Sequence, residues 1–361
     1  MKMNKLIKSG AAATLLGALA CTAQAQSSVT VSGIFDTGVM SATHVGDGSN
    51  SQVSAANSIL GVSNLGFKGK EDLGNGLSAI FQLQAGFNPS KGTLSSTGTL
   101  FSRNAYVGLN GGFGTLTVGK QWNFNDDWLV GSVFKGGYNS GAVFKFSEFD
   151  AVSEIYNNTI KYVSPTVGGV QGGLMYGAGE NPAGASVGSL YNFALKYAQG
   201  PFYLAATYDH EKDMAATSNT GHAYKLTTLG TSYAFGALHA RLGYANSVIG
   251  GPGSFQSISS LSARKAHVIG LGLDYQVTPV MSASADVLYR KNTTLSNNTK
   301  VYRLLGIYNL SPRTSLIANL AYLNNGDGAT EALVNTLSTA PGGGFANQTQ
   351  NVLALGIRHA F

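Results

Sequence analysis

The sequence has a single cysteine, 8 prolines among its 361 residues, and only 11% charged residues. One cysteine cannot form a disulfide within the chain, nor can it make a thiolate metal cluster or a dithiol redox centre. In soluble domains roughly a quarter of the residues are charged, so this chain has too few charged residues to form the water-exposed surface of a typical soluble domain. Past residue 25 no apolar run approaches the roughly 18–20 residues that a membrane helix needs. A helical membrane protein is therefore excluded.

Glycine and apolar residues are abundant instead. The chain has 48 glycines, nearly twice the usual share of about 7%, and 43% hydrophobic residues. This apolar content is too high for a disordered chain. The composition indicates a folded protein that has much of its surface in contact with something other than water.

The first 25 residues have the layout of a secretory signal peptide. Three lysines in the first eight residues precede an apolar stretch, and Ala23-Gln24-Ala25 supplies small residues for cleavage. We expect a leader over 1–25 and a single barrel domain over 26–361. Removing the three lysines leaves 20 basic residues against 17 acidic ones, a net charge of +3 with no basic stripe, so no nucleic-acid partner is expected. Lipid attachment at Cys21 is a less favoured alternative, because Ala18 stands where such sites prefer leucine.

Apolar and polar residues alternate through most of the remaining sequence. Between Leu238 and Tyr244, for example, apolar side chains alternate with His239 and Arg241. A period of two predicts β-strands with one apolar and one polar face. We count sixteen such strands, the second over 58–70. An even number allows the first and last strands to pair antiparallel and close the sheet, which leaves no unpaired edge.

The connections between strands alternate between short turns and long polar loops. Half of the prolines lie at short turns (Pro165, Pro201, Pro279 and Pro312), where a missing amide is harmless. This alternation is typical of an outer-membrane barrel, with short periplasmic turns and long extracellular loops. A soluble β-sandwich is the alternative, but it needs more charge on its outer faces than this chain has.

Aromatic residues indicate which face of the strands meets lipid. Tyrosine and phenylalanine number 17 each, and many lie at strand ends on the apolar face. Such rings form girdles at the two membrane boundaries. The polar face then surrounds a lumen, and sixteen strands enclose more space than side chains fill. The fold class predicted is all-β, a 16-stranded antiparallel transmembrane barrel around a water-filled channel.

Five segments carry a resemblance to a known family. They are SVTVSGIFD at 28–36, LGFKG at 65–69, YVGL leading to GTLTVGK over 106–120, NNTIKYVSP at 157–165, and GIRHAF at 356–361. Together they resemble the general diffusion porins of the Gram-negative outer membrane, of the betaproteobacterial type. The resemblance implies export through the periplasm, homotrimers surrounded by outer-membrane lipids, and passive diffusion of small hydrophilic solutes and ions. It also implies a long third loop that folds inward as a constriction.

The third long loop, about 122–154, has the length for this role and is acidic. It carries Asp126, Asp127, Glu148, Asp150 and Glu154. Strand parity suggests an opposing basic wall made of Lys68, Lys120, Lys161, Lys196, Arg241, Arg290, Arg303 and Arg358, with fewer acids at Asp36, Asp209, Asp274 and Asp286. Opposite charges across a narrow aperture produce a transverse field, which sets ion preference.

Two positions depart from the family pattern. Relatives of this branch usually carry arginines just before the Leu-Gly-Phe run and at the start of the sixth strand, where this chain has Asn64 and Ile155. Of the three usual basic positions only Lys120 keeps its charge. Related porins are often anion-selective because of that cluster, so we expect a weaker anion preference here.

The final residue, Phe361, ends an alternating strand and resembles the signal that the outer-membrane assembly machinery reads. It is also compatible with a position in the aromatic girdle.

No catalytic residue, metal site or cofactor is expected, because the six histidines are scattered and no nucleophile motif occurs. Asp209-His210 is more readily explained as a strand end than as a catalytic dyad. A substrate-specific channel of the same fold, using the aromatic residues of the third loop, stays open as the alternative, as does a structural barrel with a plugged lumen.

Overall fold

The computed structural model describes residues 28–45, 48, 50–130, 132–133, 155–182, 184, 186–214, 222–251, 264–333 and 345–361. The expected leader at 1–25 and the loop residues Glu148, Asp150 and Glu154 lie outside these ranges.

Among the described residues, one six-residue π-helical segment occurs, Asn125–Val130, and no helix is long and apolar enough to cross a membrane. The strands are β1 (Ser28–Val45), β2 (Asn50–Ala56), β3 (Asn64–Gly74), β4 (Leu77–Asn88), β5 (Thr93–Leu94), β6 (Asn104–Gly111), β7 (Gly114–Trp122), β8 (Ile155–Val163), β9 (Val170–Gly177), β10 (Leu190–Gln199), β11 (Phe202–Lys212), β12 (Ala223–Phe235), β13 (Leu238–Ile249), β14 (Arg264–Thr278), β15 (Met281–Asn292), β16 (Asn297–Asn309), β17 (Thr314–Gly326) and β18 (Thr349–Ala360).

These strands form one closed antiparallel sheet. Strands pair with their neighbours in chain order, except that β2 and β3 both pair with β1 and that β5 and β6 both pair with β4; β1 also pairs with β18, with Ile34 opposite Ala360. The barrel has sixteen strand positions in the described residues, because β2 and β3 both pair with β1 and β5 has two residues only. The predicted 16-stranded closed barrel is confirmed.

The second barrel strand is interrupted, which the sequence did not predict. We expected a continuous strand over 58–70, but β2 ends before this range and β3 begins within it. At the break the buried carboxylate of Asp36 accepts hydrogen bonds from the backbone N–H groups of Ile59, Leu60 and Gly61, at 2.8, 2.9 and 3.1 Å. The Asp36 side chain thus accepts hydrogen bonds from three backbone N–H groups that no longer pair with a neighbouring strand. The interruption therefore leaves these buried donors satisfied and costs little folding free energy.

The two rims of the barrel differ in the length of their connections. One rim, the short-turn rim, has seven connections of two to six residues. The other, the long-loop rim, has connections of four to 32 residues, the longest being 123–154. The first connection is shorter than expected, because β1 and β2 continue the hairpin up to Val45 and from Asn50. The alternation of short and long connections places both ends of the described chain, at β1 and β18, near the short-turn rim.

The outer face of the barrel has two belts of aromatic rings. Near the long-loop rim, Tyr191 packs against Tyr208 and stacks on His210, with ring centroids 6.3 and 4.6 Å away. Near the short-turn rim, Tyr197 contacts Phe202 at 6.1 Å. Tyr197 lies six positions after Tyr191 on β10, or roughly 20 Å further along the strand at the usual rise per residue. Because strands of outer-membrane barrels tilt by about 35–45°, this distance is about 15 Å along the barrel axis, which fits within an apolar band of about 25 Å.

The inner face is polar and changes character along its length. In the short-turn half it is open, and Lys68, Lys70 and Thr278 are exposed. In the long-loop half its side chains are buried, for example Met40 and Val301. Burial on the inside of a barrel requires something to cover the wall, and in the described residues the cover comes from connections of the long-loop rim.

Candidate pore constriction

The chain turns into the barrel at the end of β7. The backbone N–H of Phe124 donates to the Asn192 side-chain oxygen on the inner face of β10, at 2.8 Å. The amide of Asn123 donates to the Asp209 carboxylate on β11, at 3.4 Å. The π-helical segment that follows lies against β11 and β12. The start of the third long loop therefore runs along the inner wall.

Two glycines of the inner wall allow the start of the third loop to pack closely against it. A Cβ atom at Gly173 on β9 would lie 2.4 Å from the Phe124 ring, and one at Gly230 on β12 would lie 2.6 Å from a Leu129 methyl carbon. Both loop side chains are fully buried. Separations this short are not tolerated between carbon atoms, so the absence of a Cβ at these wall positions allows the loop to pack closely.

Arg241 joins the far end of the segment to β13. Its Nη1 donates to the carbonyl oxygen of Val133 at 3.0 Å, while Nε and Nη2 donate to the Asp274 carboxylate, each at 2.9 Å. Nη2 also lies 3.0 Å from Asp286, whose other oxygen accepts from Arg303 at 2.9 Å. Two arginines and two aspartates thus form one network whose charges cancel, and all but Asp274 are buried, which is the arrangement that buried charges require.

Two lysines hold the near end of the segment. The Nζ of Lys161 on β8 donates to the carbonyl oxygen of Trp122 at 2.8 Å, pairs with the Asp127 carboxylate, and lies 4.4 Å over the Phe124 ring. Lys196 on β10 lies 4.7 Å over the indole of the π-helical segment. These cation–π contacts and the ion pair bind the loop to a basic part of the wall.

The remaining inward basic residues of the expected wall fall into two groups. Arg290 on β15 pairs with Glu331 of the last long connection, with Nη1 and Oε1 3.0 Å apart. Lys68 and Arg358 stand on either side of β1, opposite Thr30 and Asp36 in the register. Within the described part of the chain, neither has an ion pair at bonding distance. Positive charge that is not bound in an ion pair therefore lies on the β18–β1–β3 side of the lumen, balanced in part at Arg358 by the neighbouring carboxylate of Asp36.

Lys120 and Ile155 lie on a different face from the one expected. Lys120 pairs with Ala105 and shares the outward face of β7 with Val118, which is 51% exposed; its Nζ donates to Asn157 at 2.7 Å. Ile155 pairs with Trp122, and the inward residue beside it is the buried Tyr156. The register shifts between β7 and β8, where two residues of β8 stand opposite one of β7, and this bulge changes which face Ile155 lies on. Lys120 is not affected by the bulge, because β7 alternates without interruption from the buried Thr117 to the buried Gln121, which places Lys120 on the outward face.

Asn64 faces the lumen as expected from the strand period, and it belongs to a ladder of amides. Its side-chain oxygen accepts from Gln84 at 2.8 Å, and the Gln84 oxygen accepts from Asn104 at 3.1 Å. The three amides stand on the adjacent strands β3, β4 and β6. The wall is therefore neutral here, where the resemblance implied an arginine. The ladder was not predicted, although inward polar residues at these positions follow from the period.

Asp209 and His210 cannot act as a pair. Asp209 points inward, where it lies fully buried beside the Asn123 amide, and His210 stacks in the outer aromatic belt. Neighbouring residues of a strand face opposite sides of the sheet.

Two of the expected loop acids lie in the described residues. The Asp127 carboxylate pairs with Lys161 of the wall, and the backbone N–H of Asp126 donates to the side-chain oxygen of Asn123. No cluster of three or more potential metal ligands occurs in the described ranges.

Comparison with known proteins agrees with this architecture. Residues 12–328 match the family model described as Gram-negative porin. The chain is 30% identical to outer membrane porin protein 32 of Delftia acidovorans, over 94% of this chain and 95% of that one. It is 29% identical to an outer membrane porin protein of Bordetella pertussis, over 97% and 98% of the two chains.

A solved structure of similar fold is the anion-selective porin from Comamonas acidovorans. It is 27% identical, covers 93% of this chain and 100% of its own, and superposes with a TM-score of 0.80. A barrel with sixteen strands, a polar inner face and an inward segment after β7 defines a porin. The chain belongs to the Gram-negative porin family, whose members lie in the outer membrane.

Proposed function

We propose that this porin forms a water-filled channel for the passive diffusion of small hydrophilic solutes and ions, with the connection 122–154 as its constriction. The observation that carries the proposal is the path of its first residues, which are bound to Asn192, Asp209 and Arg241 across the inner wall. A segment fixed along the wall narrows the lumen but does not block it. A channel function needs no catalytic residue, cofactor or metal.

The charge distribution supports a weaker anion preference than relatives with arginine at both altered positions would have. Arg241 and Arg303 are compensated by Asp274 and Asp286, and Asn64 contributes an amide. Positive charge remains at Lys68 and Arg358. We therefore propose a mild anion preference, produced by the β18–β1–β3 side of the lumen facing the acidic loop.

A belt of tyrosines that covers only part of the barrel, in the described residues, supports a homotrimer. The outward tyrosines of the described strands all lie between β8 and β17: Tyr162, Tyr176, Tyr191, Tyr197, Tyr208, Tyr233, Tyr244, Tyr275, Tyr289, Tyr302, Tyr308 and Tyr322. The outward face of β18 and of β1 to β7 has no tyrosine in the described residues. It has small residues such as Gly33 and Ala79, and its rings are phenylalanines such as Phe35 and Phe87, whose centroids are 5.7 Å apart. Tyrosine is enriched at membrane–water boundaries, where the polar edge of its ring meets water. We propose that copies of this chain cover the side without the belt.

The seam of the barrel supports a role for Phe361 in assembly. Its backbone exchanges hydrogen bonds with Gly33, at 3.0 and 3.1 Å, and its ring lies where a Cβ of Gly33 would be, 2.3 Å from the nearest ring carbon. The residue therefore belongs to the pair of strands that closes the sheet. We propose that the assembly machinery reads this terminal strand after the leader at 1–25 is removed, and that the short-turn rim faces the periplasm.

Recording across a planar lipid bilayer tests the channel function. Purified protein added to one side is expected to give stepwise current increases, grouped in threes if the trimer is the conducting form. Heat-denatured protein from the same preparation is the control. A folded preparation that inserts without conducting contradicts the proposal.

Solute competition separates a general pore from a substrate-specific one. A general pore is expected to show no reduction of ion current by sugars, dicarboxylates or amino acids beyond the change in solution viscosity. The packing of Phe124 and Trp128 against the wall favours this result, because buried rings cannot line a path for solutes. Saturable block by one solute class would instead support the substrate-specific alternative.

A further inference from the structure

Five lysines lie on the outer face of the barrel close to the long-loop rim. We name them the lysine row: Lys212 on β11, Lys225 on β12, Lys265 on β14, Lys291 on β15 and Lys300 on β16. Their outward position follows from the alternation of each strand. Lys300, for example, is exposed and lies between the buried residues Thr299 and Val301. The row therefore faces away from the pore.

Neighbouring lysines of the row are close together in the sheet. Lys225 and Lys265 both stand opposite Val248 of β13, the strand between them. Adjacent strands are about 4.8 Å apart, so the backbones of these two lysines are roughly 10 Å apart. Lys291 stands opposite His267, which is the next outward residue after Lys265. At this spacing two long side chains can contact one ligand.

The row lies just beyond the belt of outward tyrosines. On β15 Lys291 is two positions from Tyr289, and on β16 Lys300 is two positions from Tyr302, in both cases on the side of the long-loop rim. Two residues of a strand span roughly 7 Å. Because tyrosines of this kind lie at the boundary between the apolar membrane core and water, the lysines beyond them lie at the depth of lipid headgroups.

The same outer face has no acidic residue from β11 to β16. From 202 to 309 the chain has five acidic residues, which are Asp209, Glu211, Asp213, Asp274 and Asp286. Asp213 is buried after β11, and the other four stand at inward positions of their strands. Asp327, in the connection after β17, accepts a hydrogen bond from the Asn298 amide and so lies at the edge of the row. The outer face of these six strands therefore has positive side chains only.

Basic residues of these strands are sorted by face. On the inner face, Arg241 and Arg303 pair with Asp274 and Asp286. On the outer face, Lys291 donates from Nζ to the carbonyl oxygen of Ser296 at 2.9 Å, and no lysine of the row has an acidic partner within the described residues. A lysine ammonium is a compact, strongly hydrated charge with three donors, which suits a hydrated phosphate group.

An apolar depression in the outer face begins next to the row. Its volume is about 560 Å³, and its lining includes Tyr208 and Thr227, of which Thr227 is the outward residue that follows Lys225. Gly172 and Ala206 leave it open because their side chains are small. An apolar depression beside a cationic row fits an acyl chain and a phosphate headgroup of the same molecule.

We propose that the lysine row binds the phosphate groups of lipids in the outer leaflet of the outer membrane. The inference goes beyond the diffusion function and relies on the orientation proposed above, with the short-turn rim toward the periplasm. A row of lysines without acids is attracted to an anionic lipid surface, and each lysine adds to the affinity. The apolar face and the depression below the row contact the acyl chains of the same lipid.

Binding of lipid A to the purified protein tests the site. The probe is diphosphorylated lipid A, compared by native mass spectrometry with the same lipid after enzymatic removal of its phosphates. We expect the wild-type protein to bind the diphosphorylated form at least about tenfold more tightly, because only this form carries the negative charges. Equal affinity for the two forms overturns the proposal, and this comparison needs no variant.

The double variant Lys225→Gln with Lys265→Gln tests the position of the site. We expect it to bind diphosphorylated lipid A at least about tenfold more weakly than the wild type, since two charges of the row are lost. Lys70→Gln with Arg313→Gln is the matched control, because it removes the same charge near the short-turn rim and is expected to bind as the wild type does. All four residues are exposed, so folding is expected to be unaffected. Equal affinity of the two double variants contradicts a site at the row.

Thermal unfolding separates a lipid site from a site for free phosphate. A ligand that binds only the folded state raises the unfolding temperature. Diphosphorylated lipid A is expected to raise it for the wild type and the control but not for the row variant, and inorganic phosphate at the same concentration is expected to have no effect. An equal rise with inorganic phosphate overturns the assignment to lipid.

Neither readout depends on ion current. A protein that conducts but does not discriminate between the two forms of lipid A loses the lysine-row proposal and keeps the channel function. A protein that binds the phosphorylated lipid through the row but does not conduct supports the row and defeats the channel function.

Discussion

The guanidinium of Arg241 donates to the carbonyl oxygen of Val133 at 3.0 Å, which joins the inner wall at β13 to a loop that leaves the wall at β7. The two residues are 108 positions apart in the chain. Both acids that orient Arg241 belong to the wall, so the guanidinium is held in place before the loop arrives. The loop is therefore anchored on a rigid support rather than on another loop.

Removal of this anchor is expected to widen the constriction. In Arg241→Gln the side chain can no longer bind two carboxylates and a carbonyl, so the segment up to Val133 loses its far attachment. We expect higher conductance with larger current fluctuations. The folded state should also lose stability, by no more than about 3–5 kcal/mol, because Asp274 and Asp286 lose a partner but gain access to pore water. Single-channel recording and the temperature of barrel unfolding measure the two effects.

The matched control for Arg241 is Arg313→Gln, an exposed arginine of the short-turn rim. It is expected to change neither quantity. If Arg241→Gln conducts with wild-type steadiness and amplitude, the carbonyl contact does not position the loop.

A methyl group at Gly230 is expected to push the loop from the wall. Its Cβ would lie 2.6 Å from Leu129 and 2.9 Å from Val133, so Gly230→Ala should cost about 1–3 kcal/mol and alter conductance. Gly306→Ala is the comparison, because the nearest atom to its Cβ is 4.0 Å away. Thermal unfolding of both variants, followed by circular dichroism of the β-sheet, checks the difference. Equal stability of the two would refute a close contact between the loop and β12.

Restoring arginine at the two altered positions should have unequal effects. Asn64→Arg adds a charge to the inner face of β3 and is expected to shift the zero-current potential toward anions. Ile155→Arg adds the same charge, but the register places that residue on the side of the strand away from the inward Tyr156, so little shift is expected. A larger shift from Ile155→Arg than from Asn64→Arg would contradict the register between β7 and β8.

Loss of the terminal ring is expected to impair assembly more than conduction. Phe361→Ala removes the ring from its place over Gly33 at the seam, while the strands still close through backbone hydrogen bonds. The fraction of protein recovered as folded barrel should fall severalfold, and the channels that do form should conduct normally. His359→Ala, an exposed position two residues earlier on the same face, is the control. Equal yields for the two variants would argue against a special role for Phe361.

Local features of the sequence determined the barrel. The period of two, short turns with glycine and proline, and aromatic residues at strand ends each depend on neighbours a few positions away, and each acts at every strand. Tyr191 and Tyr197, for example, could be assigned to opposite belts from their spacing alone. For the same reason the inward positions of Lys161, Arg241, Arg290 and Arg303 followed from parity.

Only the tertiary structure decided where these patterns are interrupted and what the inward charges bind. Parity failed at Ile155, because a bulge adds one residue to β8 opposite β7. The expectation for Lys120 was wrong for another reason: β7 alternates without interruption, and its period places Lys120 outward with Val118. The break before β3 depends on Asp36, whose carboxylate meets backbone groups more than twenty positions away. One acidic residue that Arg290 binds, Glu331, comes from a loop two strands further along the sheet.

Such contacts depend on which strands the closed sheet brings together and on the path of the loops inside it. A strand's period reports only which side a residue faces. It contains no information about which residue stands opposite across the lumen. The fold of this porin was therefore determined by its sequence pattern, whereas the charge balance of its pore was decided by closure of the barrel and by the inward course of its loops.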